Sequence, residues 1–300
     1  MLVMQEFEYS GKAMGVDYHV AVVCPSRQDA DKAYAMAKSI IEAWDARFSR
    51  FLPHSELSVL NATKDMVVSD IFLDVVLKAR RLFGETKGVF NPLVQIARFG
   101  YDRDFDELSD TGAIDESPYD IDFSSTLIDP DTSRVRLGPG QKLDFGGFLK
   151  GYLAELLAKE IESRVRDVRG VVVNIGGDIH ARGVDEDGKE FVFYIHNPGQ
   201  RGDDIAVPLY NQSLATSGTY KRRWTHRGHM TQHILGASGL PTKGSGTVSA
   251  SVVCEDGGRA EAYAKVFLLL GPERAAHLLG TEGFTFVTIN SDGQIPAPTV

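Results

Sequence analysis

Apolar and polar positions along the chain change period several times, and each change predicts an element. The run "DYHVAVVC" alternates and is rich in β-branched residues, so it predicts a strand following a turn at Gly15. Beyond it, "SRQDADKAYAMAKSIIEAWDARFS" places Ala33, Ala37, Ile40, Ile41 and Trp44 on one helical face, with Ser26 as the N-cap. A second helical period runs through "SDIFLDVVLKARRLFGETKG" and is closed by its last glycine. Residues 101–133 are acidic and rich in Asp, Ser and Pro, which predicts loops with short strands. "KLDFGGFLKGYLAELLAKEIESRV" reads as a loop leading into a third helix, and "GVVVNIGGDIHARG" as a buried strand, a glycine turn and a second extended piece. Strands follow in "EFVFYIHNP", "DIAVPLYNQSLATSG" and "TVSASVVCE". "GRAEAYAKVFLLLGPERAAHLLG" predicts a helix broken at Gly271–Pro272 into another, and "FTFVTINSDG" a last strand.

Strands come in pairs as well as between helices, so the expected class is α+β, with mixed, largely antiparallel sheets packed against helices. No G-x-G-x-x-G lies between a strand and a helix, which removes a dinucleotide-binding Rossmann reading. Neither a repeat nor a low-complexity tract interrupts the 300 residues, a length that suggests about two domains or one large one. A net charge of −9 argues against a general nucleic-acid or membrane-surface binder, though not against a local basic pocket. The two cysteines, Cys24 and Cys254, fall in apolar strand runs and read as buried thiols. The opening segment lacks the basic flank and apolar core of a signal peptide, and no apolar run approaches the ~18 residues of a membrane span. A cytoplasmic location is the expectation.

Candidate chemistry gathers at three glycine-rich places. In "LDFGGFLKGY", Gly146 and Gly147 bare backbone N–H groups at a helix start, where an oxyanion can approach closely. Lys150 can add a point charge, and Asp144 can cap the helix or accept from a ligand. A purely structural reading, a cap plus close helix packing, explains the same residues. "NIGGD" ends a buried strand with two glycines, which suits either a ligand or a simple turn. "ATSGTY", followed by "QHIL", brings hydroxyls and His233 that fit phosphate contact or proton transfer.

In order along the chain, these stretches resemble the FAD:protein FMN transferase family, the ApbE-type flavin transferases. "AMGVDYHV", "FSRFLPHSELSVLN", "GVFNPLV", "LDFGGFLKGY", "VNIGGDIHARG", "ATSGTY" and "GRAEAYAKVFLLLG" each resemble a family segment. The resemblance implies an ApbE-like fold as a single domain, 1–300, with two lobes around an FAD cleft, and cleavage of FAD, with transfer of FMN to a Ser or Thr hydroxyl of a target flavoprotein, assisted by Mg²⁺. It implies that Met14, Phe51, Val89, Phe90, Asn91, Asp144, Lys150, Thr216, Ser217 and Ile234 bind the cofactor. It further implies that His233, Glu261 and Lys265 occupy the catalytic positions, and that the Gly147 carbonyl and Glu261 are the metal ligands.

The departures fall in the chemistry. Glu261 stands where the family has Asp, Lys265 where it has Thr, Asn91 where it has Asp, and Val16 where it has Thr. "HILGASGLP" lacks the family's Asp-Pro. An ammonium cannot ligate Mg²⁺. Glu261 and Lys265 are spaced i,i+4 and can pair, which leaves two readings open: Lys265 stands in for the cation at a phosphate, or the two form a solvated ion pair and the metal site is lost. Two alternatives to transfer stay open: an FAD-binding relative that no longer transfers, and a pyrophosphatase giving FMN and AMP.

Overall fold

The computed structural model describes residues 3–100, 119–199, 203–220, 223–226, 229–232, 234–240 and 245–295. Its strands and helices follow in chain order as β1 (Gln5–Ala13), β2 (Val16–Cys24), α1 (Arg27–Phe48), α2 (Glu56–Thr63), β3 (Asp65–Val67) and α3 (Asp70–Glu85). Next come β4 (Leu127–Asp129), β5 (Arg134–Arg136), α4 (Leu149–Arg164), β6 (Gly170–Ile175), β7 (Asp178–Gly183), β8 (Phe191–Ile195) and β9 (Ile205–Leu209). The rest are β10 (Gln212–Gly218), β11 (Arg223–His226), β12 (His229–Gln232), β13 (Thr247–Cys254), α5 (Gly257–Leu270), α6 (Pro272–Leu279) and β14 (Phe284–Asn290).

Seven strands form one sheet in the order β1-β2-β6-β7-β10-β13-β14, and every neighbouring pair in it is antiparallel. The sheet is buried on both faces, which explains the unbroken "VVV" of β6. Val22, Cys24, Val171 and Val173 point to the side of α1 and α4, while Val23 and Val172 point to the β8–β9 ribbon. At the far end Val252, Cys254 and Ala215 pack under α5 with Tyr263 and Phe267. The α+β class with largely antiparallel sheets is therefore what the chain adopts.

Local signals explain the element boundaries. Ser26, Ser55, Ser69 and Asp256 each accept a first-turn amide, so α1, α2, α3 and α5 begin on side-chain caps. Past α3, Gly88 takes φ +80° and its amide donates to the Phe83 carbonyl at 2.8 Å, closing the helix as expected. Pro272 restarts the chain as α6 after Gly271. The α1 stripe is Ala30, Ala33, Ala37, Ile41, Trp44 and Phe48; Ile40 lies half-buried at its margin. Cys24 and Cys254 are free, buried thiols. Of the acidic stretch at 101–133, residues 101–118 lie outside the described residues, and β4 supplies a short strand at its end.

Candidate functional site

Two hairpin turns meet at one end of the sheet. Met14–Gly15 joins β1 to β2, and Gly176–Gly177 joins β6 to β7; all four residues have positive φ, as a two-residue type I′ turn requires. Met14 is the costly member, because a side chain at φ 55° is sparsely populated. A Cβ on Gly176 would lie 3.0 Å from Val16 Cγ1, so the second turn passes tightly under the first.

The segment entering α4 runs beside these turns. Asp144 does not cap the helix. Its Oδ1 accepts the Gly146 amide at 2.8 Å and its Oδ2 accepts Arg50 Nη1 at 2.8 Å, while the helix starts at Phe148 without a side-chain cap. Arg50 also lies over the Phe51 ring, 4.6 Å from its centroid. The glycines divide the work between both readings of the sequence. A Cβ on Gly147 would come within 2.8 Å of the Phe90 ring, so its absence lets that aromatic ring reach the helix start. Gly151 serves packing: a Cβ there would overlap the Gly257 carbonyl of α5.

Where α4, β7 and α5 meet, four charged side chains form a buried cluster. Lys150 Nζ lies 2.5 Å from Glu261 Oε1 and 3.0 Å from Asp178 Oδ2. Lys265 Nζ lies 3.1 Å from the same Glu261 oxygen, as the i,i+4 spacing predicts. Glu261 Oε2 accepts the Gly151 amide at 3.0 Å, an amide in the first turn of α4. The acids are the deep members, with side chains 6% and 2% exposed; the lysines, 17% and 19% exposed, are those that face open space. Burial and the neighbouring Glu261 charge push the Asp178 carboxyl well above its ordinary range. Burial acts the same way on Glu261, but Lys150 and Lys265 outweigh it and hold that carboxyl below its ordinary range. Lys150 stays charged: burial works against its ammonium, and Asp178 and Glu261 more than offset that.

Above the cluster opens a cavity of about 360 Å³. Most of the expected site residues line it: Met14, Phe51, Val89, Phe90, Asn91, Asp144, Gly147, Lys150, Ile234 and Lys265. Asn91 donates to the Ile121 carbonyl at 2.9 Å and accepts the Leu93 amide at 2.9 Å, so it shapes the wall as a turn residue. Glu261 lies beneath the floor. Thr216 and Ser217 are not among the lining residues; Thr216 Oγ1 pairs with Ser251 Oγ at 2.8 Å, and Ser217 is buried in β10. His233 lies outside the described residues. Two participants were not singled out in the sequence, Arg50 and Asp178. Asp178 was visible only as the last letter of "NIGGD", where nothing local distinguishes a buried ion-pair partner from a turn residue.

The metal ligands implied by the resemblance do not fit a divalent cation here. Both Glu261 oxygens are taken by nitrogen donors, and two ammonium groups stand beside them. Among the described residues no group of three or more His, Cys, Asp or Glu side chains is placed to hold a metal.

An antiparallel sheet carries at its turn end a cavity largely apolar on its walls and floored by two ammonium groups, a form suited to an anionic ligand with flat apolar parts. The ApbE family model matches residues 14–287, and the chain belongs to that family. A FAD:protein FMN transferase of Klebsiella pneumoniae (strain 342) is 24% identical over 297 residues, covering 95% of this chain and 84% of the relative. The crystal structure of the ApbE protein from Thermotoga maritima superposes with a TM-score of 0.82 at 22% identity, covering 98% of this chain and 97% of that one. The flavin transferase ApbE from Vibrio cholerae gives 0.79 at 21% identity, covering 96% and 94%.

Proposed function

We propose that this chain transfers FMN from FAD to a Ser or Thr hydroxyl of a target flavoprotein. The observation that carries the reading is the cavity itself: largely apolar walls over a floor where Lys150 and Lys265 meet the glycine-rich start of α4. Curated relatives along nearly the whole chain are named for that reaction. In this reading Met14, Phe51, Val89, Phe90 and Ile234 hold the flavin or adenine, and the diphosphate sits toward Lys150 and Lys265. Asp144, tied to Arg50, holds the Gly146–Gly147 backbone in place, and Asn91 holds the wall beside Phe90. The acceptor oxygen forms a bond to the flavin-side phosphorus while the bond from that phosphorus to the AMP oxygen breaks. AMP leaves with the negative charge, and His233 is assigned the acceptor's proton. Thr216 and Ser217 are assigned to the approach of the acceptor. No step is routed through Mg²⁺, because the residues present do not fit it.

Two further assignments go with this reading. The chain acts as a single domain, since one sheet draws strands from residue 5 to residue 290. It works in the cytoplasm, which the two free thiols favour; no described helix is long and apolar enough to cross a membrane.

The second reading is an FAD-binding protein that does not transfer. It is favoured by one observation, the nitrogen donors filling both oxygens of Glu261. Incubation with FAD and a target bearing the acceptor hydroxyl separates the two. Covalent FMN on the target with matching AMP release is the expected result. Bound, intact FAD without AMP sinks the transferase reading in favour of binding alone, and AMP with free FMN points to hydrolysis.

A further inference from the structure

Lys265 lies between the two residues offered as metal ligands. Its Cε is 3.6 Å from the place a Gly147 Cβ would take, and its Nζ is 3.1 Å from Glu261 Oε1. The first distance is ordinary van der Waals contact, so the stem lies directly against the Gly147 backbone. A lysine ammonium has three donors. Glu261 occupies two of them, through Oε1 and, at 3.4 Å, its own carbonyl. Among the described residues nothing takes the third, and Lys265 helps to line the cavity. Lys150 is differently placed, spanning Asp178 and Glu261 across the floor. The two acids and two lysines balance in charge. A divalent cation entering here would face two ammonium groups and would have to displace Lys265 from Glu261 to gain a single oxygen.

We propose that Lys265 is a built-in cation: its ammonium makes the contact to the FAD diphosphate that a divalent metal would make, so FAD binds this chain without Mg²⁺. The inference rests on the reading of FAD as the ligand. It also gives the substitutions a common sense. Glu261, longer by one methylene than Asp, reaches the Gly151 amide with one oxygen and holds both lysines with the other.

The test is FAD binding, followed by flavin fluorescence with EDTA or with Mg²⁺, on the wild type, Lys265→Met and Lys265→Arg. Thermal melts show that each variant is folded. Wild-type affinity is expected to be the same in both buffers. Lys265→Met, which keeps the stem and loses the charge, is expected to bind about tenfold more weakly or worse in both. Lys265→Arg is expected to retain most of the affinity. Affinity that rises about tenfold with Mg²⁺ in the wild type overturns the inference and leaves the transferase reading standing. So does a folded Lys265→Met that binds like the wild type. If Lys265→Met does not fold, the Mg²⁺ response of the wild type and the Lys265→Arg affinity still decide. A wild type that binds no FAD in either buffer overturns both the inference and the transferase reading.

Discussion

His180 shows how a single buried residue sets the response of this molecule to acid. Its ring on β7 is fully buried; Nδ1 lies 2.6 Å from Ser213 Oγ, and among the described residues Nε2 has no hydrogen-bond partner. Burial, reinforced by the Arg182 and Lys159 charges and opposed by Asp256, lowers its pKa to about 3. The unfolded chain protonates this imidazole near pH 6.5, so between there and pH 3 the unfolded state binds the extra proton. The stability that neutral His180 contributes is therefore complete above pH 6.5 and is lost as pH falls through that window. The slope is at most about 1.4 kcal/mol per pH unit. Asp178, raised to about 6, works the other way over the upper part of the window, so the wild-type profile alone is not decisive. Urea unfolding of His180→Gln beside the wild type isolates the term: the variant should show the smaller loss between pH 6.5 and 4. Equal slopes would remove His180 from the account. In the candidate site, residue chemistry was legible where spacing fixes geometry, as in the Glu261–Lys265 pair on one helix turn. It was not legible where partners come from distant elements, as in Arg50 with Asp144 or Lys150 with Asp178.

At the scale of elements, the crossing of α4 and α5 brings the four charges together. The helices meet backbone to backbone: a Cβ on Gly151 would overlap the Gly257 carbonyl, and one on Gly257 would overlap the Gly151 carbonyl. Neither neighbour is a side chain that can swing aside. Gly151→Ala gains up to about 1 kcal/mol in helix propensity, which separating the helices should outweigh, for a net loss of about 1–3 kcal/mol. Denaturant unfolding checks this, and a variant as stable as the wild type would show that the helices slide apart freely. Because Glu261 Oε2 reaches the Gly151 amide across this crossing, the variant should also weaken FAD binding. Which elements the sequence revealed follows from how much of each is buried. β2 and β6 have runs of buried apolar residues, and β13 buries Ala250, Val252 and Cys254 at alternate positions, so all three were plain. β1 is an edge strand with Phe7 alone buried, and α2 buries only Leu57 and Leu60, so neither carries a periodic signal. The Gly151 contact was half legible: the glycine stood out, but its partner lies over a hundred residues later.

For the whole molecule, the cavity is where separately packed regions converge. Phe48, Phe90 and Leu149 belong to the core under α1 and α4, Val89 and Ile234 to the core around α5, and Phe51 and Ile96 to a small cluster with Trp224. A ligand filling this space touches all three clusters, so its binding energy should hold them together against unfolding. A ligand that binds only the native state at about 100 times its Kd adds about 2.7 kcal/mol. For a chain of 300 residues that corresponds to a rise in Tm of roughly 4 °C. FAD is expected to give that shift in the presence of EDTA. FMN or AMP at the same concentration should give a smaller one, since each leaves part of the wall or floor bare. Differential scanning fluorimetry read at the protein's tryptophans, Trp44 and Trp224, follows the transition without relying on flavin emission. Equal shifts from FAD and AMP would mean that the flavin half makes no contact with the apolar wall. A shift from FAD confined to one of two separate transitions would mean that the cavity belongs to one region and does not join them. A single transition moved as a whole is the outcome that the shared sheet and the converging clusters require.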